Sequence, residues 1–127
     1  MFEGRLTRFL FHSNELRRSL GRPHFRAFLP SPSGRCSVFR THELLEAQVW
    51  SLGEEHVAPG RGKPVVARAD LPDSVLPEVD LAIEPDEPPP RHHNLVGWTR
   101  DRAANHLRAL KLAQMSALVI APEHRAA

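Results

Sequence analysis

A chain of 127 residues, 41% apolar and 25% charged, is long enough to bury one core without disulfides or metal. No apolar run approaches the roughly 20 residues that span a bilayer. The single cysteine, Cys36, excludes an intrachain disulfide and a multi-thiolate zinc site, and it fits a reducing, cytoplasmic setting.

Residues 5–11 read as a strand, with Thr7, Phe9 and Phe11 on one face and Leu6 and Leu10 on the other. Leu6, Phe9, Leu10, Ser13, Leu16 and Leu20 also fit a helical period, so helix is the competing assignment for this stretch. An Arg-rich transit peptide would share that period, but Glu3 and Glu15 interrupt it. Ser13 can cap a short helix over 14–20 that Gly21 ends. Phe25 to Leu29 and Cys36 to Arg40 flank a run dense in turn residues, Pro30 to Gly34, and predict a β-hairpin. Thr41 caps a predicted helix over 42–52 with Gly53 as its stop.

Ala58 to Pro64 reads as a loop and Val65 to Ala69 as a strand. Asp73 caps a short turn of helix ending near Val79, and Asp80 to Glu84 forms another strand with Leu81 and Ile83 inward. Three prolines, Pro88 to Pro90, then predict a stiff extended arm. Thr99 caps the longest helix, about 100–119, with Ala103, Leu107, Leu110, Gln114, Ala117 and Leu118 as its inner stripe. Together these predict one α+β domain over 1–121 and a polar tail over 122–127. The domain has a small, mostly antiparallel sheet of about five short strands, a mid-chain helix and a long C-terminal helix.

The basic residues are fifteen Arg and two Lys, Lys63 and Lys111. Arg grips phosphate or carboxylate in a two-pronged way that Lys does not, although a bias toward Arg, Ala and Pro codons yields the same excess. Charge is laid out in blocks: +6 over 1–40, −4 over 41–60, +3 over 61–69, −7 over 70–90 and +4 over 91–127. The blocks fit either a basic face for a polyanion or compensation between the basic first third and the acidic middle.

The eight His do not form a metal box. His42-Glu43-Leu44-Leu45-Glu46 lacks the second imidazole that H-E-x-x-H requires, and no third ligand is in view. Gly60-Arg61-Gly62-Lys63 has phosphate-loop composition only, because Pro64 follows the lysine. Cys36 in a strand reads as a buried, inert thiol. No metal and no cofactor is expected.

The segment Arg91-His92-His93-Asn94 after the prolines is the strongest candidate. Adjacent residues of an extended chain point to opposite sides, so one of His92 and His93 can face a given pocket. His106 and Arg102 share a helical stripe with Ala109. If that stripe lies against the arm, Arg91, His92 or His93, Arg102 and His106 would form an anion site; otherwise it is a solvated helix face. A base-stacking platform needs aromatics interleaved with cations; His24-Phe25-Arg26-Ala27-Phe28 and Val38-Phe39-Arg40 come nearest, and such rings more often fill a core.

The expected function is a small non-enzymatic accessory protein contacting a partner protein or nucleic acid through Arg91, His92, His93 and Asn94, with Arg102 and His106 nearby. The alternative is a small enzyme for a phosphorylated or nucleotide substrate. It would use His92, His93 or His106 as acid–base and Arg91 and Arg102 as anion clamps. The C-terminal helix is a further candidate as a homo-oligomer interface; no membrane contact is expected.

Overall fold

The computed structural model describes residues 4–125. Its elements are β1 (Arg5–Leu10), β2 (Leu16–Arg17), β3 (Arg22–Pro23), β4 (Cys36–Arg40), α1 (Glu46–His56), α2 (Ala58–Arg61), β5 (Ala67–Pro72), β6 (Ala82–Pro85), β7 (His92–Val96), α3 (Arg102–Gln114) and β8 (Ala117–Ile120). Six strands form one sheet in the order β6–β7–β4–β1–β5–β8, every neighbouring pair antiparallel, and β2–β3 form a separate ribbon. The architecture is therefore α+β with a wider sheet than the sequence predicts.

Connection handedness places the helices. β4 and β5 run parallel with β1 between them and are joined through α1; β7 and β8 run parallel and are joined through α3. Both connections step the same way across the sheet, but the two strand pairs point in opposite senses. Right-handed crossovers then put α1 and α3 on opposite faces. The cores follow: Phe9, Phe11, Phe39, Val49 and Leu52 pack on the α1 face. Leu6, Leu10, Val38, Leu71, Leu95, Ala109 and Leu112 pack on the α3 face. The two faces expected of residues 5–11 are those of β1, so the strand assignment holds and the helical one does not.

Several elements depart from the sequence reading. Phe25–Phe28 is a 3-10 turn. No hairpin forms there, because Arg8 Nε and Nη1 donate to the Ala27 and Ser37 carbonyls and pin the segment under the sheet at 2.9 and 2.8 Å. The helix expected over 14–20 is two 3-10 turns flanking β2. Thr41 is no cap: its hydroxyl is buried against Thr7 Oγ1 at 2.7 Å, and α1 begins five residues later. Gly53 does not stop α1 but lies inside it, where a Cβ would come within 2.6 Å of the Phe9 ring.

The C-terminal helix is shorter than expected. Asp101 caps it, its carboxylate accepting from the Ala103 and Ala104 amides. Thr99 instead hydrogen-bonds Asn105. At 1.5 Å per residue, α3 is about 20 Å long, and its buried residues are Asn105, Ala109, Leu112 and Ala113. The stripe drawn through Leu107 and Leu110 is out of phase, leaving them 66% and 37% exposed. Ser116 Oγ caps the helix end on the Leu112 carbonyl. Residues 117–120 then become the edge strand β8, whose outer side is closed by Leu118 N donating to Gly21 O and Arg125 Nε donating to Ile120 O. The tail thus begins with a docked 3-10 turn, Pro122–His124; residues 126–127 lie outside the described residues. No helix among the described residues is long and apolar enough to cross a membrane.

Candidate functional site

The proline segment is the loop of the β6–β7 hairpin. It turns back between two paired strands and so is not a straight rod; its Glu87–Pro88 and Pro88–Pro89 peptides are cis. The loop closes through Asp86 N to His92 O at 2.9 Å and His92 N to Pro89 O at 3.2 Å. Arg91 turns the corner with φ 66°, its amide donating to Glu87 Oε2 at 2.8 Å and its guanidinium 3.7 Å from Glu43. His92 packs on Phe39, donates from Nδ1 to the Asp86 carbonyl at 2.8 Å and bonds Ser37 Oγ through Nε2. His93 donates from Nδ1 to the Arg91 carbonyl at 3.0 Å. Asn94 is buried and donates to Asp86 Oδ2 at 2.9 Å.

These four residues therefore hold the hairpin together. Around them lie the exposed carboxylates of Glu84, Asp86 and Glu87. Next to the loop, Leu44, Ala47, Leu52, Pro90 and Arg91 line an open groove against α1.

Arg102 and His106 are elsewhere. His92 and Asn94 pair opposite Phe39 and Ser37 on the α1 face, whereas His93, opposite Val38, lies on the face that α3 covers. Arg102 and His106 line a recess of about 520 Å³ with Leu29 and Pro30. No hydrogen bond, ring contact or shared recess among the described residues joins them to Arg91, His92, His93 or Asn94. The convergent two-Arg, two-His cluster does not form.

A different group of cations does come together. His106 stacks on Phe25 at 4.0 Å between ring centroids, and Phe25 stacks on His24 at 4.4 Å. Phe25 also floors a second recess, about 220 Å³, with Arg17, Arg22 and Leu110 on its walls. Arg17 is shared with a third, about 560 Å³, that also takes in Ser13, Arg18, Ser19 and His124. Among the described residues, no carboxylate lines any of the three recesses. Arg17, Arg22 and Arg102 are exposed, and among the described residues their side chains make no hydrogen bond or ion pair. The chain matches no protein-family model, and no curated protein or solved structure is significantly similar to it.

The electrostatics of this face are visible in His24. Burial first, then the positive fields of Arg26, Arg17 and His106, hold its imidazole below the usual histidine range. Its Nδ1 accepts from the Arg26 amide at 3.1 Å and from Arg26 Nε at 3.2 Å, which also favours the neutral ring. Of these residues, sequence reasoning singled out Arg102 and His106 and noted the His24–Phe28 run. It missed Arg17, Arg18 and Arg22, whose only signal was the +6 charge of the first forty residues.

The α1 face carries a second polar cluster, turned inward. Arg68 is 1% exposed. It donates to Glu46 at 2.9 and 2.7 Å and to Asp70 at 3.2 and 3.1 Å, and lies 4.8 Å from the Trp50 ring centroid. Burial opposes its charge, but Glu46 and Asp70 outweigh burial and raise its pKa. Asp70 also accepts from Thr7 Oγ1 at 2.8 Å, and Thr41 Oγ1 accepts from Arg5 Nε at 2.9 Å. With both ends satisfied, this network is structural.

Proposed function

We propose that this protein is a non-catalytic nucleic-acid-binding protein that holds a single strand along the α3 face. The observation that carries the reading is the run of three recesses joined through Arg17 and through the Phe25–His106 stack. Among the described residues, they present cations and rings without a carboxylate. Arg forks match phosphate oxygens, and the exposed His106 imidazole, backed by half-buried Phe25, suits unpaired bases, whose faces are free to stack. Arg102 and His106 keep the binding role expected of them. Arg91, His92, His93 and Asn94 serve by shaping the hairpin, whose carboxylates disfavour phosphate. A protein partner, the other reading, has its seat in the groove between that hairpin and α1.

The test is fluorescence anisotropy with an internally labelled oligothymidylate at low salt. Arg17, Arg18, Arg22 and Arg102 supply four phosphate contacts. For a single strand the slope of log affinity against log salt is then about −3, a loss of roughly 50-fold from 50 to 200 mM. Arg22→Glu and Arg102→Glu should each weaken binding about tenfold and flatten the slope. Amide shifts confined to the hairpin and α1, or no affinity at low salt, would remove this reading.

A further inference from the structure

The largest of the three recesses stands apart from the other two in its chemistry. It gathers the guanidinium groups of Arg17 and Arg18, the hydroxyls of Ser13 and Ser19 and the imidazole of His124 around a volume of about 560 Å³. Arg18 uses one nitrogen, Nη2, on the His124 carbonyl at 3.3 Å, which ties the C-terminal turn to the recess wall. The hydroxyls of Ser13 and Ser19 and the whole Arg17 fork make no hydrogen bond among the described residues.

That donor set suits a terminal phosphate better than a bridging one. A phosphodiester carries one negative charge and two free oxygens. A terminal phosphomonoester carries nearly two charges near neutral pH and three free acceptor oxygens. The Arg17 fork, the remaining Arg18 nitrogens and two hydroxyls match the second group. Arg17 also borders the Phe25 recess, so a nucleotide whose phosphate sat between Arg17 and Arg18 would have its next neighbours directed toward the ring stack.

We infer that this recess seats the terminal phosphomonoester of a bound strand, so that the protein grips a phosphorylated end. The inference rests on the strand-binding reading above. It makes the binding polar: one end of the strand is held at His124 and the remainder lies across Phe25 and His106.

The experiment compares three internally labelled oligothymidylates of equal length, one 5′-phosphorylated, one 3′-phosphorylated and one with hydroxyls at both ends. Inorganic phosphate and thymidine monophosphates serve as competitors. One phosphorylated end should bind at least tenfold tighter than the hydroxyl-ended strand. The double variant Arg18→Gln/Ser19→Ala, checked for an unchanged fold by its amide spectrum, should erase that preference, so that phosphorylated and hydroxyl-ended strands bind it with equal affinity. Equal affinity for all three strands, with dependence on Arg22 and Arg102 intact, overturns the terminal seat and leaves the strand reading standing. Tight binding of the monophosphate with no gain from added nucleotides keeps the seat and overturns the strand. A preference for phosphorylated ends that survives the double variant overturns the assignment of the seat to this recess.

Discussion

Asp70→Asn tests whether the inward polar cluster is held together as its geometry indicates. The substitution keeps shape and leaves an oxygen for Thr7. It removes the charge that faces Arg68 Nε at 3.1–3.2 Å, and an amide nitrogen can replace that oxygen only as donor against donor. The guanidinium, 2% exposed at its side chain, then has Glu46 alone as countercharge, with the retained amide oxygen still able to accept from Nε. Removing one partner of a buried ion pair costs about 3–5 kcal/mol. Glu46 still neutralises half of the fork, so the lower end, about 3 kcal/mol, applies.

Glu46→Gln is the control: the Glu46 side chain is 63% exposed, water screens the pair, and the loss should stay near ~1 kcal/mol or less. In urea with m about 2 kcal/mol/M, the Asp70→Asn midpoint falls by about 1.5 M and the Glu46→Gln midpoint by at most about 0.5 M, with m unchanged. Circular dichroism is the safer probe, since Trp50 stacks on Arg68 and its emission reports the site itself. Equal losses for the two variants, or an Asp70→Asn midpoint within 0.2 M of wild type, would refute the assignment of the buried charge to Asp70. The pH dependence has a defined sign. The Arg68 hydrogen bond lowers the Glu46 pKa below its unfolded value, so its contribution is present above the unfolded carboxylate range. It is lost as pH falls through the folded pKa, and the gap between wild type and Glu46→Gln narrows on acidification.

Gly53→Ala places a methyl 2.6 Å from the Phe9 ring and should cost about 1–3 kcal/mol in a thermal melt despite the better helix propensity of Ala. Cys36 is 2% exposed and burial raises its thiol pKa, so it should react with a disulfide reagent only at the rate of unfolding, far slower than a free thiol at pH 8. His24 titrates below its unfolded value, so folding stability contributed there is present above the unfolded pKa and lost as pH falls below it. A bound phosphate offsets the field of Arg17, Arg26 and His106; oligonucleotide affinity should therefore rise as pH drops from 7 to 5.5, and the His24 ring signals should titrate higher in the complex.

The sheet was partly legible. Alternation in residues 5–11 placed Leu6 and Leu10 on one core and Phe9 and Phe11 on the other, because a central strand covered on both sides carries two apolar stripes at once. The Asp73–Val79 turn was legible from its residues, and part of the strand that follows was too. Residues 25–29 were not, because the contact that pins their turn is a distant hydrogen bond from Arg8, whose guanidinium also ties them to Ser37 of β4. β8 was hidden by the absence of Gly or Pro between Gln114 and Ala117: the break is made by Ser116 and by pairing with β5. The His-Arg tip was singled out for its unusual order. The structure gives that order a hairpin to build, with Asp86 as the hub, and sets Arg102 and His106 in a separate recess beside cations that local pattern could not associate.

The carboxylate-rich β6–β7 edge and the cationic recess beside β8 sit at the two ends of a six-stranded sheet. Five gaps of about 4.8 Å separate them by roughly 24 Å, some three screening lengths at physiological ionic strength, where that length is about 8 Å. Neither end weakens the other through solvent at that range. Close to a polyanion, however, attraction at one end and repulsion at the other act as a torque on the whole body. The molecule would arrive already oriented, with its proline-tipped hairpin facing away from the strand it holds and open to whatever approaches next.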